Sequence, residues 1–128
     1  MVVSERYVDP TAQLVGEIFV RDMERSKAFY LALGFTLTED RGAFVILTWE
    51  DHQLYLDERR DQDPPSTTPQ INLRVMVPDV DRYWDMINDL EIAVFATIDD
   101  RDYGLRDFTV VDPDGVGLRF ATRIAENR

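Results

Sequence analysis

Residues 14–35 read LVGEIFVRDMERSKAFYLALGF, and the chain repeats the pattern of this stretch once. The stretch predicts an apolar strand, an aspartate that caps a helix, and a helix with one apolar stripe. A shift of fifty-seven residues places it on a second stretch of the same design. The coinciding residues are Val20 with Val77, Asp22 with Asp79, Arg25 with Arg82, and Leu33 with Leu90. The sequence therefore predicts two tandem modules.

Each module reads as βαβββ, which predicts the α+β class. We place module one at residues 13–57, a linker at 58–69 and module two at 70–122. A single module of about 55 to 60 residues would be only marginally stable, so we expect the pair to form one domain of 128 residues. The predicted strands cover residues 14–20, 35–38, 43–49, 53–56, 70–77, 92–97, 105–112 and 116–121.

Composition narrows the possible functions. The net charge is −11, so the surface repels phosphate backbones and nucleic acid is not an expected partner. No apolar run reaches the length of about 20 residues that a membrane span needs, so no membrane partner is expected. The first residues lack the features of a signal peptide, which favours a soluble, cytoplasmic protein. The absence of cysteine excludes disulfides and thiolate metal ligands.

The two modules differ in the length of one loop. In their second halves the repeat aligns at an offset of sixty-four, with Phe44 on Phe108 and Leu54 on Leu118. Module two therefore carries about seven extra residues around 99–103, which we assign to a charged loop over residues 98–104. Such a loop either covers a ligand or is a plain surface insertion.

Several phrases of the chain resemble the vicinal oxygen chelate superfamily, which contains glyoxalase I, extradiol dioxygenases and bleomycin-resistance proteins. They are residues 20–22 with 28–30 and 33–35, the phrase YGLRDF at 103–108, and the turn DPDG at 112–115. The resemblance covers roughly residues 14–122. It implies that the two modules form a cup-shaped, curled mixed sheet, with helices outside and the site inside.

Enzymes of that superfamily hold a divalent metal with His, Glu or Gln from the first and last strands of each module. By position, the resemblance maps these ligands to Val15, Tyr55, Asn72 and Arg119. None is a usual ligand, and Arg119 would put a permanent cation where the metal should lie. We therefore expect no metal and no cofactor.

Glu17 and His52 are the remaining candidates for chemistry. Glu17 is a carboxylate within an apolar strand, so it is either a general base or an ion-pair partner of Arg74 or Arg119. His52 lies in a predicted hairpin turn, where an exposed histidine without a metal is the better interpretation. These residues leave open an enzyme of the lyase, isomerase or dioxygenase type that uses Glu17 as base or relocated metal ligands.

The closest resemblance is to the bleomycin-resistance branch, whose members are dimers that bind a drug in aromatic grooves and leave it unmodified. Tyr103 matches a groove tryptophan and implies ring stacking. A second groove tryptophan falls at Arg74, which can stack but would oppose a cationic drug. Phe44 and Trp49 have opposite parity, so only one should face the cup. The ligand-binding residues that we predict are Tyr103, Arg74, Arg119, Glu17, Asn72, Tyr55, Trp49 and Phe44.

From these observations we expect a metal-free homodimer that sequesters a small, partly aromatic molecule such as an antibiotic. The alternative is the enzyme that reuses the cup. A third interpretation is a scaffold or regulatory subunit whose cup has no ligand.

Overall fold

A computed structural model describes residues 6–124 of the chain. It contains two compact units, the first ending at Asp63 and the second beginning at Pro64. Within residues 6–124, none of the helices combines the length and apolar character that crossing a membrane would require. The first unit contains a 3-10 turn at Pro10–Ala12, β1 (Gly16–Val20), α1 (Met23–Leu33), β2 (Thr36–Asp40), β3 (Phe44–Trp49) and β4 (His52–Glu58). The second contains β5 (Asn72–Met76), α2 (Val80–Asp89), β6 (Val94–Asp100), β7 (Leu105–Val111) and β8 (Gly117–Arg123).

The first module is a four-stranded mixed sheet with one helix against it. The strand order is β1-β4-β3-β2, with β1 parallel to β4 and the other pairs antiparallel. Because side chains alternate along a strand, one face collects the apolar residues and packs on α1. The buried side chains of this core are Ile18, Val20, Met23, Tyr30, Leu33, Phe35, Val45, Leu47, Leu54 and Leu56.

The boundaries of α1 follow from its capping residues. The carboxylate of Asp22 accepts a hydrogen bond of 3.1 Å from the backbone N–H of Arg25, which satisfies one of the free donors of the first turn. At the other end Gly34 adopts φ 111°, a left-handed conformation that glycine tolerates best. Both caps confirm the helix predicted after Asp22.

The second module repeats this architecture. Its strand order is β5-β8-β7-β6, with β5 parallel to β8. Phe108 and Phe120 lie stacked at the centre of the core, and Trp84 of α2 packs on Phe108 with 5.2 Å between ring centroids. The turn at residues 112–115 closes the last hairpin as predicted. The α+β class and the two βαβββ modules are thus confirmed.

The start of α2 differs from the prediction. Asp79 precedes the helix, but its side chain makes no capping hydrogen bond. The hydroxyl of Thr122 on β8 takes that place: it accepts from the backbone N–H of Val80 at 3.0 Å and donates to the carbonyl of Val77 at 2.7 Å. A strand residue distant in sequence therefore caps α2.

The predicted charged loop at residues 98–104 is strand in its first three residues and turn in the other four. β6 continues to Asp100 and β7 begins at Leu105, so residues 101–104 alone form the turn. Asp99 pairs with Asp107 and Asp100 with Arg106, after irregular pairing earlier in β6. The extra residues of module two therefore lengthen a β-hairpin and leave a shorter turn than predicted. That this turn covers a ligand stays a prediction.

Candidate functional site

One polar surface lies on the second sheet, on the face opposite α2. Paired residues on neighbouring strands point to the same face, and Arg119 is paired with Arg74 on one side and with Thr109 on the other. Asp107 lies two residues before Thr109 and shares this face. Together with Tyr103 from the adjoining turn, these residues form what we call the second-module site face.

Asp107 organises this face. It is only 2% exposed, and both of its carboxylate oxygens are used. Nε of Arg101 donates to Oδ1 at 2.8 Å, and the hydroxyl of Tyr103 donates to Oδ2 at 2.6 Å. Nε of Arg119 lies 3.9 Å from Oδ2. A carboxylate is buried at acceptable cost only when it is paired in this way, so these four side chains hold one another in place.

Tyr103 is fixed at its hydroxyl and open at its ring. Its side chain is 54% exposed, and the guanidinium of Arg119 lies 5.7 Å from the ring centroid. The hydrogen bond to Asp107, with burial of the hydroxyl as a smaller cause, raises the pKa of the Tyr103 phenol above its usual value. The phenol therefore stays neutral and oriented, which leaves a positioned ring surface for a ligand.

Asn72 lies beside the arginines and depends on a glycine. It is paired with Gly117 across β5 and β8. A Cβ built on Gly117 would overlap Oδ1 of Asn72 and lie 3.3 Å from Cβ of Pro69. The missing side chain at Gly117 therefore makes the space into which the Asn72 carboxamide folds.

The first sheet has a corresponding first-module site face, made of Glu17, Phe19, Phe44, Tyr55 and Asp57. Tyr55 is paired with Glu17 on β1, and Asp57 is paired with Phe19 on β1 and Phe44 on β3. The rings of Phe44 and Tyr55 meet edge to face with centroids 5.3 Å apart. This face therefore combines three aromatic rings with two carboxyl groups.

The two carboxyl groups interact with each other. A side-chain hydrogen bond to Asp57 is the main reason that the pKa of Glu17 is raised above 4.5. The hydrogen bond from Arg59, at 3.0 Å, holds the pKa of Asp57 below its usual value. Glu17 thus keeps a proton longer than an isolated glutamate, while Asp57 stays ionised. The predicted ion pair of Glu17 with Arg74 or Arg119 stays a prediction.

Glu17→Gln tests this pair. A raised folded-state pKa means that the stability due to Glu17 is complete below its unfolded pKa and is lost as the pH rises through the folded pKa. Glutamine imitates the protonated acid, so we expect the variant to gain melting temperature over the wild type as the pH rises above 4.5, and to gain little at lower pH. Thermal unfolding over a pH series measures the difference. Asp85→Asn on α2 removes one exposed charge as a control, and a gain independent of pH would contradict the assignment.

The two aromatic residues of β3 lie on opposite faces, as their parity predicted. Phe44 is on the first-module site face. Trp49 is on the face toward α1, where its ring packs on Phe35 with centroids 5.0 Å apart and lies near Gly34. Trp49 is half-buried in this position. The ligand-binding roles of Phe44 and Trp49 stay predictions.

The four positions that correspond to metal ligands do not fit a metal ion. Val15 has no donor atom, and Tyr55 directs its hydroxyl to Gln53 at 3.3 Å. Arg119 brings a cation, and Asn72 supplies only a neutral carboxamide oxygen. His52 is exposed at the start of β4. Within the described part of the chain, no three His, Cys, Asp or Glu side chains come together in a way that could hold a metal ion.

Sequence reasoning missed Asp107 and Arg101. Asp107 belongs to the phrase at residues 103–108 that carried the resemblance, but no role was assigned to it. The position of Asp107 in its strand could have indicated a role. Side chains alternate along a strand, so Asp107 shares a face with Thr109 and lies next to β8, which carries Arg119. A lone acid at such a position needs a basic partner.

The chain matches one protein-family model and is similar in fold to several solved structures. The model of the Glyoxalase/Bleomycin resistance protein/Dioxygenase superfamily matches residues 8–120. A crystal structure of a glyoxalase/dioxygenase from Nostoc punctiforme is similar, with a TM-score of 0.77, 20% identity, and coverage of 95% of this chain and 99% of that chain. No curated protein matches the sequence.

Two further similar structures concern bleomycin. One is a bleomycin resistance determinant encoded on the transposon Tn5, with a TM-score of 0.69, 22% identity and coverage of 88% of this chain and 98% of that chain. The other is a bleomycin-binding protein complexed with bleomycin, with a TM-score of 0.69, 22% identity and coverage of 88% and 99%. At these identities the structural likeness shows the fold, whereas the match over residues 8–120 shows the family. The chain belongs to the Glyoxalase/Bleomycin resistance protein/Dioxygenase superfamily.

Proposed function

We propose that this protein is a metal-free small-molecule binding protein of the glyoxalase/bleomycin-resistance type. It sequesters an antibiotic or a related aromatic compound without modifying it. The observation that carries the proposal is the group formed by Tyr103, Arg119 and Asp107. A buried carboxylate holds a half-exposed ring, and beside that ring lies a guanidinium at a position where an enzyme of this family would need a metal donor.

The physical argument concerns preorganisation. Binding a flat ligand loses affinity when the side chains that receive it must first be ordered. The Tyr103 ring is already oriented by its hydrogen bond of 2.6 Å to Asp107, and its face is open. In the first module, Phe44 and Tyr55 offer two more aromatic rings. Such surfaces favour stacking of aromatic ligands.

The relatives support the same class of function. A protein with this fold is complexed with bleomycin, and another is a bleomycin resistance determinant. The ligand of this chain need not be the same, because Arg74 adds a positive charge that opposes a cationic drug. A homodimer in the cytoplasm is part of the proposal, and light scattering after gel filtration should give twice the 14.9 kDa of one chain.

A panel of aromatic antibiotics tests the proposal. Because a ligand that binds only the folded state raises the melting temperature, we expect at least one compound to do so without added metal. Tyr103→Ala should weaken that binding by about three- to tenfold, the contribution of one aromatic contact. Tyr103→Phe keeps the ring but loses the hydrogen bond that orients it, so its affinity should lie between those of the wild type and the alanine variant. Mass spectrometry should recover the compound unchanged, at one equivalent per site. Conversion of more than one equivalent would contradict sequestration.

A second candidate function is proton transfer by Glu17. The raised pKa of Glu17 and its hydrogen bond to the ionised Asp57 are properties of a general acid or base. If the protein converts a compound of the panel, Glu17→Gln should abolish the conversion while leaving binding in place. Unchanged turnover in that variant would remove this candidate.

A further inference from the structure

The second-module site face carries positive charge that its own carboxylates do not balance. Arg74 and Arg119 are direct partners on the parallel strands β5 and β8, so their Cα atoms lie about 5 Å apart and their side chains leave the same face. Like charges side by side in a sheet lower its stability. Arg74 is exposed and makes no hydrogen bond or ion pair within residues 6–124. This pairing therefore calls for a compensating anion.

Asp107 does not supply that anion to both arginines. Its oxygens already accept from Arg101 and Tyr103 at 2.8 and 2.6 Å, and Nε of Arg119 approaches no closer than 3.9 Å. That Nε atom is buried and has no hydrogen-bond partner among the described residues. Each guanidinium carries five N–H donors. Arg74 is exposed and the Arg119 side chain is 33% exposed, so both keep further N–H donors open to a ligand.

The other acidic group at this face does not change the balance. Asp99 is paired with Asp107 on β6 and β7. The hydrogen bond to Asp107 is the main reason that the pKa of Arg101 is raised, and the charge of Asp99 is a smaller one. Asp99 and Asp107 together therefore offset Arg101 and part of Arg119. Arg74 remains without a counter-charge of its own.

We propose that Arg74 and Arg119 bind the carboxylate of a ligand whose flat ring stacks on Tyr103. This inference rests on the proposed function and specifies its ligand as an aromatic carboxylate. A guanidinium matches the two oxygens of a carboxylate with two parallel N–H donors. The charge of the whole chain, −11, repels anions, but at physiological ionic strength this repulsion fades beyond about 8 Å while the adjacent arginines act at contact. Arg74, Arg101 and Arg119 against Asp99 and Asp107 leave one net positive charge (3 − 2), which a singly charged carboxylate neutralises and a doubly charged phosphate exceeds.

Four probes with one ring system test the proposal: naphthoate, naphthamide, naphthylmethylammonium and naphthyl phosphate. Isothermal titration of the full chain should show naphthoate binding at least about tenfold more tightly than the neutral amide, as expected for a hydrogen bond to a charged group. The ammonium probe should bind more weakly than the amide. Added chloride should weaken naphthoate binding and leave the amide unaffected.

Two variants assign the effect to the arginines. Arg74→Gln and Arg119→Gln should each reduce naphthoate affinity by about tenfold without weakening the binding of naphthamide. Arg82→Gln removes an exposed charge from α2 and should change neither the naphthoate affinity nor the naphthamide affinity. Arg74 is exposed, so its variant is expected to fold, and circular dichroism checks this. The NMR signals of the arginine Nε–H groups give a second readout, since those of Arg74 and Arg119 should shift on naphthoate binding and that of Arg82 should not.

Each contrary outcome has a defined meaning. Equal binding of naphthoate and naphthamide, or naphthoate binding that survives both arginine variants, overturns the carboxylate assignment and leaves the proposed binding function standing. Tighter binding of the phosphate overturns the choice of carboxylate. Absence of naphthoate binding at its highest soluble concentration also overturns the assignment, and the antibiotic panel then decides the proposed function separately.

Discussion

We expect Asp107→Ala to lower the free energy of unfolding by about 3 to 5 kcal/mol, the range found when one partner of a buried ion pair is removed. The reason lies in the three donors that face this carboxylate. Arg101 would lose its partner at 2.8 Å, and Tyr103 its partner at 2.6 Å. Arg119 would then stand beside Arg74 and Arg101 without the carboxylate between them. Urea unfolding at neutral pH measures the loss.

Two further variants make this prediction specific. Asp99→Ala removes the same charge from an exposed position of the same hairpin, and we expect a change within about 0.5 kcal/mol. Arg101→Ala combined with Asp107→Ala should cost less than the sum of the single variants, because each single variant strands the other partner. A loss below about 1 kcal/mol for Asp107→Ala would show that this group behaves as a surface ion pair and does not anchor the site.

Phe108→Ala is expected to cost about 3 to 5 kcal/mol, the usual range for removal of a buried phenylalanine. Phe108 is fully buried and contacts the rings of Phe120 and Trp84, with centroids 5.5 and 5.2 Å away. Alanine would leave a cavity between β7, β8 and α2 that these rigid rings cannot fill. Chemical unfolding followed by circular dichroism gives the change in free energy.

Phe95 provides the matched control for that variant. It is the same residue type in the same module, but on β6 its side chain is 52% exposed. Because it buries less apolar surface, Phe95→Ala should cost much less than Phe108→Ala. Equal costs for the two variants would contradict the core that we describe.

The repeat made the fold predictable from the sequence, but its details depend on distant residues. Asp22 and Asp79 occupy equivalent positions, yet only Asp22 caps its helix with its side chain. At the second helix, Thr122 supplies the cap from a strand 42 residues away. The residues before α2 carry no sign of this contact. A local pattern can therefore predict that a helix begins, while the group that caps it is set by tertiary structure.

The charged residues near the end of β6 were misleading for a related reason. Aspartate is depleted in strands, so a cluster of aspartates usually predicts a loop. Here Arg106 on the neighbouring strand reaches Asp100 at 3.1 Å and Asp81 on α2 at 3.2 Å. The partners that make a charged strand acceptable lie across the hairpin and on the helix, where a reading of consecutive residues does not find them.

The candidate site was predicted in part. Alignment with the family's binding positions identified Tyr103, Arg74 and Arg119 as candidate site residues. The alternation of side chains along β3 placed Phe44 and Trp49 on opposite faces. Position could not show that Asp107 joins Tyr103 to the arginines, since that link depends on how the turn at residues 101–104 folds back onto β7. Sequence patterns thus named the groups at the site, while the hydrogen bonds that orient them required coordinates.

Metal content is the measurement that tests the account most directly, because the proposed function depends on a donor set that does not fit a metal ion. The full chain would be dialysed against zinc, manganese, iron(II) and magnesium in turn, freed of loose ions, and analysed by inductively coupled plasma mass spectrometry. We predict far less than one ion per chain for every metal, with aromatic ligand binding unchanged by the treatment. One tightly held ion per chain, required for binding or accompanied by turnover, would contradict the proposal.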